Sequence, residues 1–164
     1  MVTTAFTKEE VLEILSVIAD PEIPVVTIQE IGMLRDVKIS DAGYEVILTP
    51  TYTGCPAMGI IEHDIKMMLD SKGVKPNKVT MVFDPAWNTD WMSDIAKEKM
   101  RVYGIAPPLH SSCNMDVFHH NIIKCPRCSS EDTVMISRFG ATACKSLFKC
   151  NDCKEPFEYF KCHA

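Results

Sequence analysis

Two short stretches of the chain, Cys125-Pro126-Arg127-Cys128 and Cys150-Asn151-Asp152-Cys153, decide the fold of its last part. Each is a Cys-x-x-Cys pair, and 21 residues separate the two pairs. Two thiolates two residues apart can bind one tetrahedral ion from a tight turn, so two such pairs predict a four-cysteine site. A segment of about 40 residues has too little apolar content to fold alone, so the ion would supply much of its folding free energy. We therefore predict a ribbon with structural zinc, and a redox dithiol or an iron centre is the alternative.

The remaining cysteines and histidines of this region have weaker patterns. Cys144, Cys162 and His163 lie close to the pairs in sequence and form a candidate second group of thiol or metal ligands. The alternative, which we favour, is that the two cysteines are small buried apolar residues. Residues 105–121 have no periodicity and are predicted to be a linker. The linker contains residues that match no fixed ligand spacing: His110, Cys113, His119 and His120.

Composition indicates an ordinary globular protein. The chain has 164 residues, of which 46% are hydrophobic and 24% charged, and it contains eight cysteines. With no export signal and no apolar run of about 20 residues, we expect a cytoplasmic protein without a membrane span, whose cysteines are metal ligands or reactive thiols. Residues 1–121 hold 10 basic and 17 acidic side chains, and residues 122–164 hold 7 and 5. This balance argues against a nucleic-acid partner.

The pattern of apolar residues and turn signals in residues 1–104 predicts a separate α+β domain. Apolar residues recur at helical spacing after Thr7, which with Glu10 makes a capping box. A hairpin follows, then a helix that begins near Pro56 and a strand that returns parallel through a right-handed crossover. The predicted order is α-β-β-α-β-α with a mixed three-stranded sheet, followed by the linker at 105–121 and the zinc ribbon at 122–164. The predicted elements are a helix ended by Pro21, strands Leu34–Ile39 and Tyr44–Pro50, a helix closed by Gly73, a strand around Val79–Phe83 and a helix from Asp90 to Tyr103.

Cys55 is the residue of this domain whose position best suits a reactive or metal-binding thiol. It lies between a predicted strand and a predicted helix, where unpaired amides and the helix dipole stabilise a thiolate. Thr51 adds a hydroxyl nearby, while Asp20 and Glu22, with Asp84, could either bind a metal there or cap helices. Negative charge so close would oppose a free thiolate and favour a metal-bound one. A cysteine that merely fills space is about equally expected from the residues alone.

Two tryptophans, Trp87 and Trp91, flank the turn after the last strand of this domain. We expect one of them to be part of the core. The other, if exposed, would be an anchor for a partner protein, because aromatic residues dominate interface energetics.

The order of several short motifs resembles a known family. Asp20-Pro21-Glu22, Ile31-Gly32-Met33, Thr51-Tyr52-Thr53-Gly54-Cys55-Pro56 and Asp84-Pro85-Ala86-Trp87 are similar to the successive motifs of the SufT-like, MIP-type iron–sulfur assembly domain. Together with the ribbon and the ending Phe157-Glu158-Tyr159-Phe160-Lys161-Cys162-His163, the chain resembles the PaaD (PaaJ) family of phenylacetate degradation. Tyr52 and Thr53 stand where we expect Ser-Pro in much of the wider assembly family.

The resemblance implies an accessory role rather than catalysis. Proteins of this family are expected to help mature the iron–sulfur or diiron centres of the multicomponent phenylacetyl-CoA 1,2-epoxidase, with its oxygenase and reductase subunits as partners. Cys55 would be the reactive thiol that contacts transient iron or an iron–sulfur cluster, with Asp20, Glu22 and Thr51 around it. The alternative is a structural subunit or adaptor of the oxygenase complex. An independent thiol enzyme ranks last, since no catalytic signature accompanies Cys55.

Overall fold

The computed structural model describes residues 6–108 and 122–161. Contacts divide the chain into two compact units, one up to Ala86 and one from Trp87 onward. The predicted α+β class with a C-terminal ribbon is confirmed. The division into 1–104, 105–121 and 122–164 stays a prediction, because the unit boundary lies at Trp87 and residues 109–121 lie outside the described residues.

The first unit is built on a mixed three-stranded sheet with β2 in the centre. Strands β1 and β2 form the expected antiparallel hairpin, and β3 returns parallel to β2 after α2. The crossover helix lies between two parallel strands because such strands cannot be joined by a tight turn. The elements of this unit are α1 (Lys8–Leu15), β1 (Leu34–Ser40), β2 (Gly43–Leu48), α2 (Met58–Ser71) and β3 (Asn77–Met81).

Local signals in the sequence explain where these helices form. The Thr7 hydroxyl accepts the Glu10 amide at 3.2 Å and the Glu10 carboxylate accepts the Thr7 amide at 2.8 Å, which completes the predicted capping box. Both helices bury one apolar face, as their 3.6-residue periodicity requires. The fully buried residues are Val11 and Leu15 on α1 and Ile61, Ile65 and Leu69 on α2.

One glycine of the hairpin is required by a close approach. Gly43 has a φ of +106° and begins β2, and the Tyr44 amide donates to the Pro76 carbonyl at 2.9 Å. A Cβ at position 43 would lie 2.3 Å from that same carbonyl oxygen. Any other residue here would push apart the hairpin turn and the segment that leads into β3.

The second unit contains a four-stranded sheet in the order β4-β7-β6-β5. Strands β5, β6 and β7 are antiparallel neighbours, and β4 pairs parallel to β7. The stacked rings of Phe148 and Phe157, with Tyr159 edge-on to Phe148, form the centre of its core. Its elements are a 3₁₀ turn (Thr89–Trp91), α3 (Asp94–Tyr103), β4 (Ile105–Ala106), β5 (Thr133–Ser137), β6 (Lys145–Cys150) and β7 (Pro156–Phe160).

Two details of this unit differ from the sequence-based expectation. The helix expected from Asp90 begins at Asp94, because the Ser93 hydroxyl accepts the Ala96 amide and caps the helix there. The residues before it form the 3₁₀ turn, which Asn88 caps. Residues 105 and 106, which we assigned to the linker, form β4 beside β7. A strand of two residues is too short for alternation to reveal it.

The two tryptophans differ in burial. Trp87 is only 2% exposed and its ring meets that of Phe160 edge-on at 6.0 Å, so it is the core member of the pair, as expected for one of the two. Trp91 is partly buried at the end of the 3₁₀ turn.

Candidate metal centre and the Cys55 site

The four ribbon cysteines converge on one point. Their Sγ atoms all lie within 4.8 Å of one another. Cys125 Sγ is 3.8 Å from Cys153 Sγ, and Cys128 Sγ is 3.6 Å from Cys150 Sγ. An ion with four sulfur ligands at about 2.3 Å in a tetrahedron requires sulfur separations of about 3.8 Å. The observed distances therefore fit a tetrahedral ion such as zinc.

Both cysteine pairs have the same backbone geometry. The Cys125 amide donates to the Ser130 carbonyl at 2.9 Å, and the Cys150 amide donates to the Glu155 carbonyl at 3.0 Å. In each turn the residue after the second cysteine is left-handed, with a φ of 63° at Ser129 and 66° at Lys154. The two halves of the site are thus equivalent turns, each of which aims two sulfurs at the shared centre.

The turns are also bonded directly to each other. The Ser130 hydroxyl donates to Asp152 Oδ2 at 2.5 Å, and the Asn151 side-chain amide donates to Asp132 Oδ1 at 2.8 Å. The Asn151 backbone amide donates to the Asp132 carbonyl at 2.8 Å. We call these three bonds the inter-turn bonds. They hold the two cysteine pairs together through protein groups as well as through a bound ion.

Backbone amides favour a thiolate at one member of the site. Burial raises the pKa of Cys150, but the amides of Cys153 and Asp152 and the neighbouring thiols outweigh it and lower that pKa to about 7. A cysteine must lose its proton to bind a metal, so Cys150 is the member prepared for an ion, while burial and the neighbouring thiols raise the pKa of Cys128 and Cys153.

Cys55 lies in a separate setting, in the loop between β2 and α2. Its amide donates to the Tyr52 carbonyl at 3.3 Å, and Gly54 has a φ of +86°. A β-turn with a left-handed glycine at its third position is a type II turn, in which proline is common at the second position. Thr53 occupies that second position here, where we expected the family to have proline. The Cys55 side chain is half-buried.

The charges around Cys55 oppose its ionisation. Burial raises the pKa of the Cys55 thiol, and the carboxylates of Glu22 and Asp20 raise it further. The amides of Ala57 and Met58 at the start of α2 lower it, but they do not outweigh burial and charge. The expected thiolate stabilisation by the helix start is therefore present but too small. At neutral pH Cys55 is a thiol, and a cation would favour its thiolate form.

Asp20 has a structural role that accounts for its burial. It is 5% exposed, and its Oδ1 accepts the amides of Glu22 and Ile23 at 2.8 Å each. This is the capping role that the sequence left open for the carboxylates. Since its charge also acts on Cys55, the capped turn brings Asp20 and Glu22 to the thiol.

The residues around Cys55 are near one another without forming a chelate. Within residues 6–108 and 122–161, groups of three or more ligand atoms close enough to hold an ion include the ribbon cysteines but not Cys55, Asp20 and Glu22 together. Thr51 is buried at 7% exposure, and Asp84 is exposed and is not among the charges that act on Cys55.

The structure describes only one member of the second candidate ligand group, Cys144. Cys144 is buried, its Sγ lies 2.9 Å from the Thr142 hydroxyl, and it is not part of the ribbon group. This placement agrees with a small buried residue. The other members and the linker ligands lie outside the described residues: Cys162, His163, His110, Cys113, His119 and His120.

The inter-turn bonds are the functional feature that the sequence did not indicate. Ser130, Asp132, Asn151 and Asp152 look like ordinary polar turn residues, and their partners are 19 to 22 positions away. A serine two residues after one cysteine pair and an aspartate inside the other are the signal that could have found the first of these bonds.

In the part of the chain that the structure describes, no helix has the length and apolar content to cross a membrane.

Comparison with known proteins gives two family matches along the chain. Residues 8–82 match the family described as iron–sulfur cluster assembly protein, and residues 111–161 match the PaaD zinc beta ribbon domain. A crystal structure of the domain of unknown function DUF59 from Bacillus anthracis superposes with a TM-score of 0.51 at 30% identity, covering 55% of this chain and 87% of that one. The two family matches thus identify an iron–sulfur assembly domain joined to a cysteine ribbon.

Two relatives with assigned names narrow this class. An Fe-S protein maturation auxiliary factor of Porphyromonas gingivalis is 38% identical over 55% of this chain and 87% of its own length. A protein of Escherichia coli that is named as one of the subunits of 1,2-phenylacetyl-CoA epoxidase is 46% identical over 93% of this chain and 92% of its own length. The chain belongs to the family of that Escherichia coli protein, as the motifs had led us to expect.

Proposed function

We propose that this chain is an accessory factor of a multicomponent phenylacetyl-CoA 1,2-epoxidase that assists the assembly of its iron–sulfur or diiron centres through Cys55. Its partners are the oxygenase and reductase subunits, and iron or a cluster is its cargo. The observation that supports this most is a half-buried thiol beside two carboxylates at the start of α2, in a domain that matches iron–sulfur assembly proteins.

The chemistry of Cys55 suits transient binding. One thiol supplies fewer sulfur ligands than the four cysteines that typically hold a cluster permanently, so Cys55 would contact iron or a cluster only transiently. When the Cys55 sulfur binds iron, its proton passes to solvent, and the step is a ligand exchange without a change in oxidation state. Loss of the ion returns the proton to the sulfur, because burial raises the pKa of the metal-free thiol. Such a site can accept an ion and release it.

The four ribbon cysteines have a different role in this proposal. They would hold zinc as a permanent structural ion, which supplies folding free energy to the second unit. The ion would contribute no step to the exchange at Cys55.

Replacement of the thiol tests the role of Cys55. In cells that depend on the epoxidase, Cys55→Ser should lower the cluster content of the reductase or the iron content of the oxygenase, and epoxidase activity with it. Cys144→Ala removes a buried cysteine outside both sites and is the matched control. Full metal loading and full activity with Cys55→Ser would contradict the proposal.

An adaptor role is the second candidate, and the surface of α3 favours it. Ile95, Val102 and Tyr103 are 63%, 72% and 55% exposed on this helix. An adaptor would co-purify with the active epoxidase in a fixed ratio, and Cys55→Ser would leave both the ratio and the activity unchanged.

A further inference from the structure

Strand β5 is an edge strand of the second unit with unusual composition. It pairs with β6 on one side, and within the described residues no strand pairs on its other side. Its sequence, Thr133-Val134-Met135-Ile136-Ser137, has no charged residue and no proline. Val134 and Ile136 are 49% and 55% exposed. An exposed, apolar, β-branched edge is a template for pairing with another strand.

The two edge strands of the first sheet carry charged residues, which usually protect an edge from pairing with another strand. Strand β1 contains Arg35, Asp36 and Lys38, and β3 contains Lys78, so a charge would have to be buried if another strand paired there. The other edge of the second sheet, β4, is only two residues long. Strand β5 has a bulge at Ile136, between Met135 and Ser137, which increases the twist of the strand and gives the edge partial protection, but it adds no charge. Composition sets β5 apart from β1 and β3, and length sets it apart from β4.

We propose that β5 pairs in antiparallel orientation with β5 of a second copy of this chain, about a two-fold axis at Met135. In this register Val134 lies opposite Ile136 of the partner subunit, and Thr133 lies opposite Ser137 of the partner subunit. Apolar residues therefore lie opposite apolar residues and hydroxyl residues opposite hydroxyl residues, and the same strand supplies both sides of the interface, as in any isologous dimer. The pairing extends two four-stranded sheets into one of eight strands.

Charge at the ends of the strand supports a second copy as the occupant. Asp132 precedes β5 and Arg138 follows it, and both are exposed. The two-fold register places Asp132 opposite Arg138 of the partner subunit, and by symmetry the same pair forms at the other end. Opposite charges across paired strands stabilise the pairing, and like charges oppose it. A parallel arrangement in register would place like charges together.

The short length of the edge limits the strength of the dimer. Five paired residues per chain bury far less than the about 800 Å² per partner of a stable interface. We therefore expect a dissociation constant of about 1–100 µM. The pairing does not involve Cys55, so the test of the pairing and the test of the proposed function are independent of each other.

Sedimentation of the full metal-loaded chain tests the pairing. The weight-average mass should rise from the 18.4 kDa of one chain towards twice that value as concentration increases to about 200 µM. Ile136→Lys places a charge on the edge and should raise the dissociation constant about tenfold or more. Val102→Lys makes the same change at an exposed residue of α3 and should leave the dissociation constant unchanged.

Exchange of the end charges tests the register. Arg138→Asp places two acidic groups opposite each other and should weaken the dimer, while Asp132→Arg combined with Arg138→Asp should restore it. Asp132 also accepts a bond from Asn151, so metal content is measured for each variant.

A wild-type chain that stays monomeric at about 200 µM overturns the proposal, as does an Ile136→Lys variant that still dimerises. Failure of the double variant to recover, with metal content intact, also overturns it. If the wild type is monomeric and Ile136→Lys is lost from the epoxidase complex, the edge binds a different protein and the proposal is wrong.

Discussion

Cys55 and the four ribbon cysteines place the same residue type in two opposite settings. In the ribbon, equivalent turns and the inter-turn bonds aim four sulfurs at one point, and backbone amides lower the pKa of Cys150 to about 7. At Cys55 a single sulfur lies beside two carboxylates, and burial with their charge raises its pKa. The first arrangement supplies the four ligands of a closed tetrahedral site, and the second supplies one sulfur beside two carboxylates. The difference shows that the surroundings of a cysteine, and not its presence, set the pKa of its thiol.

Removal of one ribbon cysteine should have the largest effect. Cys125→Ser leaves an incomplete tetrahedral site, so the chain should lose its bound ion and with it much of the about 10–16 kcal/mol that such an ion contributes to a ribbon at neutral pH. Metal analysis and thermal unfolding of the purified chain measure this. Cys55→Ser should retain the ribbon ion in full, and a loss of that ion with Cys55→Ser would erase the contrast between the two settings.

Weakening an inter-turn bond should have an intermediate effect. Asp152→Ala removes the acceptor of the Ser130 hydroxyl and with it one of the three inter-turn bonds, so metal affinity should fall about 10- to 100-fold. Competition with a chelator of known affinity measures the change. Glu155→Ala removes a charge at a nearby exposed position and is the control. Equal affinities for the two variants would mean that the bond between Ser130 and Asp152 contributes nothing to metal binding.

A change of charge at Cys55 should have the smallest effect. Glu22→Gln removes one group that raises the pKa of Cys55, so that pKa should fall and more thiolate should be present at any given pH. The rate of Cys55 alkylation at neutral pH should then rise about two- to fivefold, with its midpoint at lower pH. Peptide mapping after timed alkylation follows Cys55 separately from the other cysteines. Glu13→Gln, at an exposed residue of α1, should leave the rate unchanged, and an equal rate for Glu22→Gln would place Glu22 too far from the thiol to act on it.

Sequence patterns predicted those features that depend on neighbours along the chain. The capping box of Thr7 and Glu10, the hairpin of β1 and β2 and the parallel return of β3 all follow from local spacing and chain connectivity. The two Cys-x-x-Cys pairs indicated a shared ion because each pair has a fixed geometry. Strand β4 escaped prediction because two residues carry no period.

The Cys55 site was predicted only in its composition. Spacing and resemblance indicated Asp20 and Glu22 as neighbours, and both charges do act on the thiol. The sign of the pKa shift could not be read from the sequence, because it is the difference between amides that lower the pKa and burial and charge that raise it. The amount of burial depends on the packing of residues distant in the chain, as do the inter-turn bonds of Ser130 and Asn151.

The central position of β2 limits where the Cys55 site can vary. A strand paired on both sides cannot slide along its axis unless it breaks two ladders of hydrogen bonds at once, and Gly43 fixes its beginning against Pro76. The sheet therefore determines where the loop starts, and the short segment from Thr49 to Pro56 alone determines where the sulfur lies. Substitutions in that segment would move the sulfur while the scaffold beneath it stays the same.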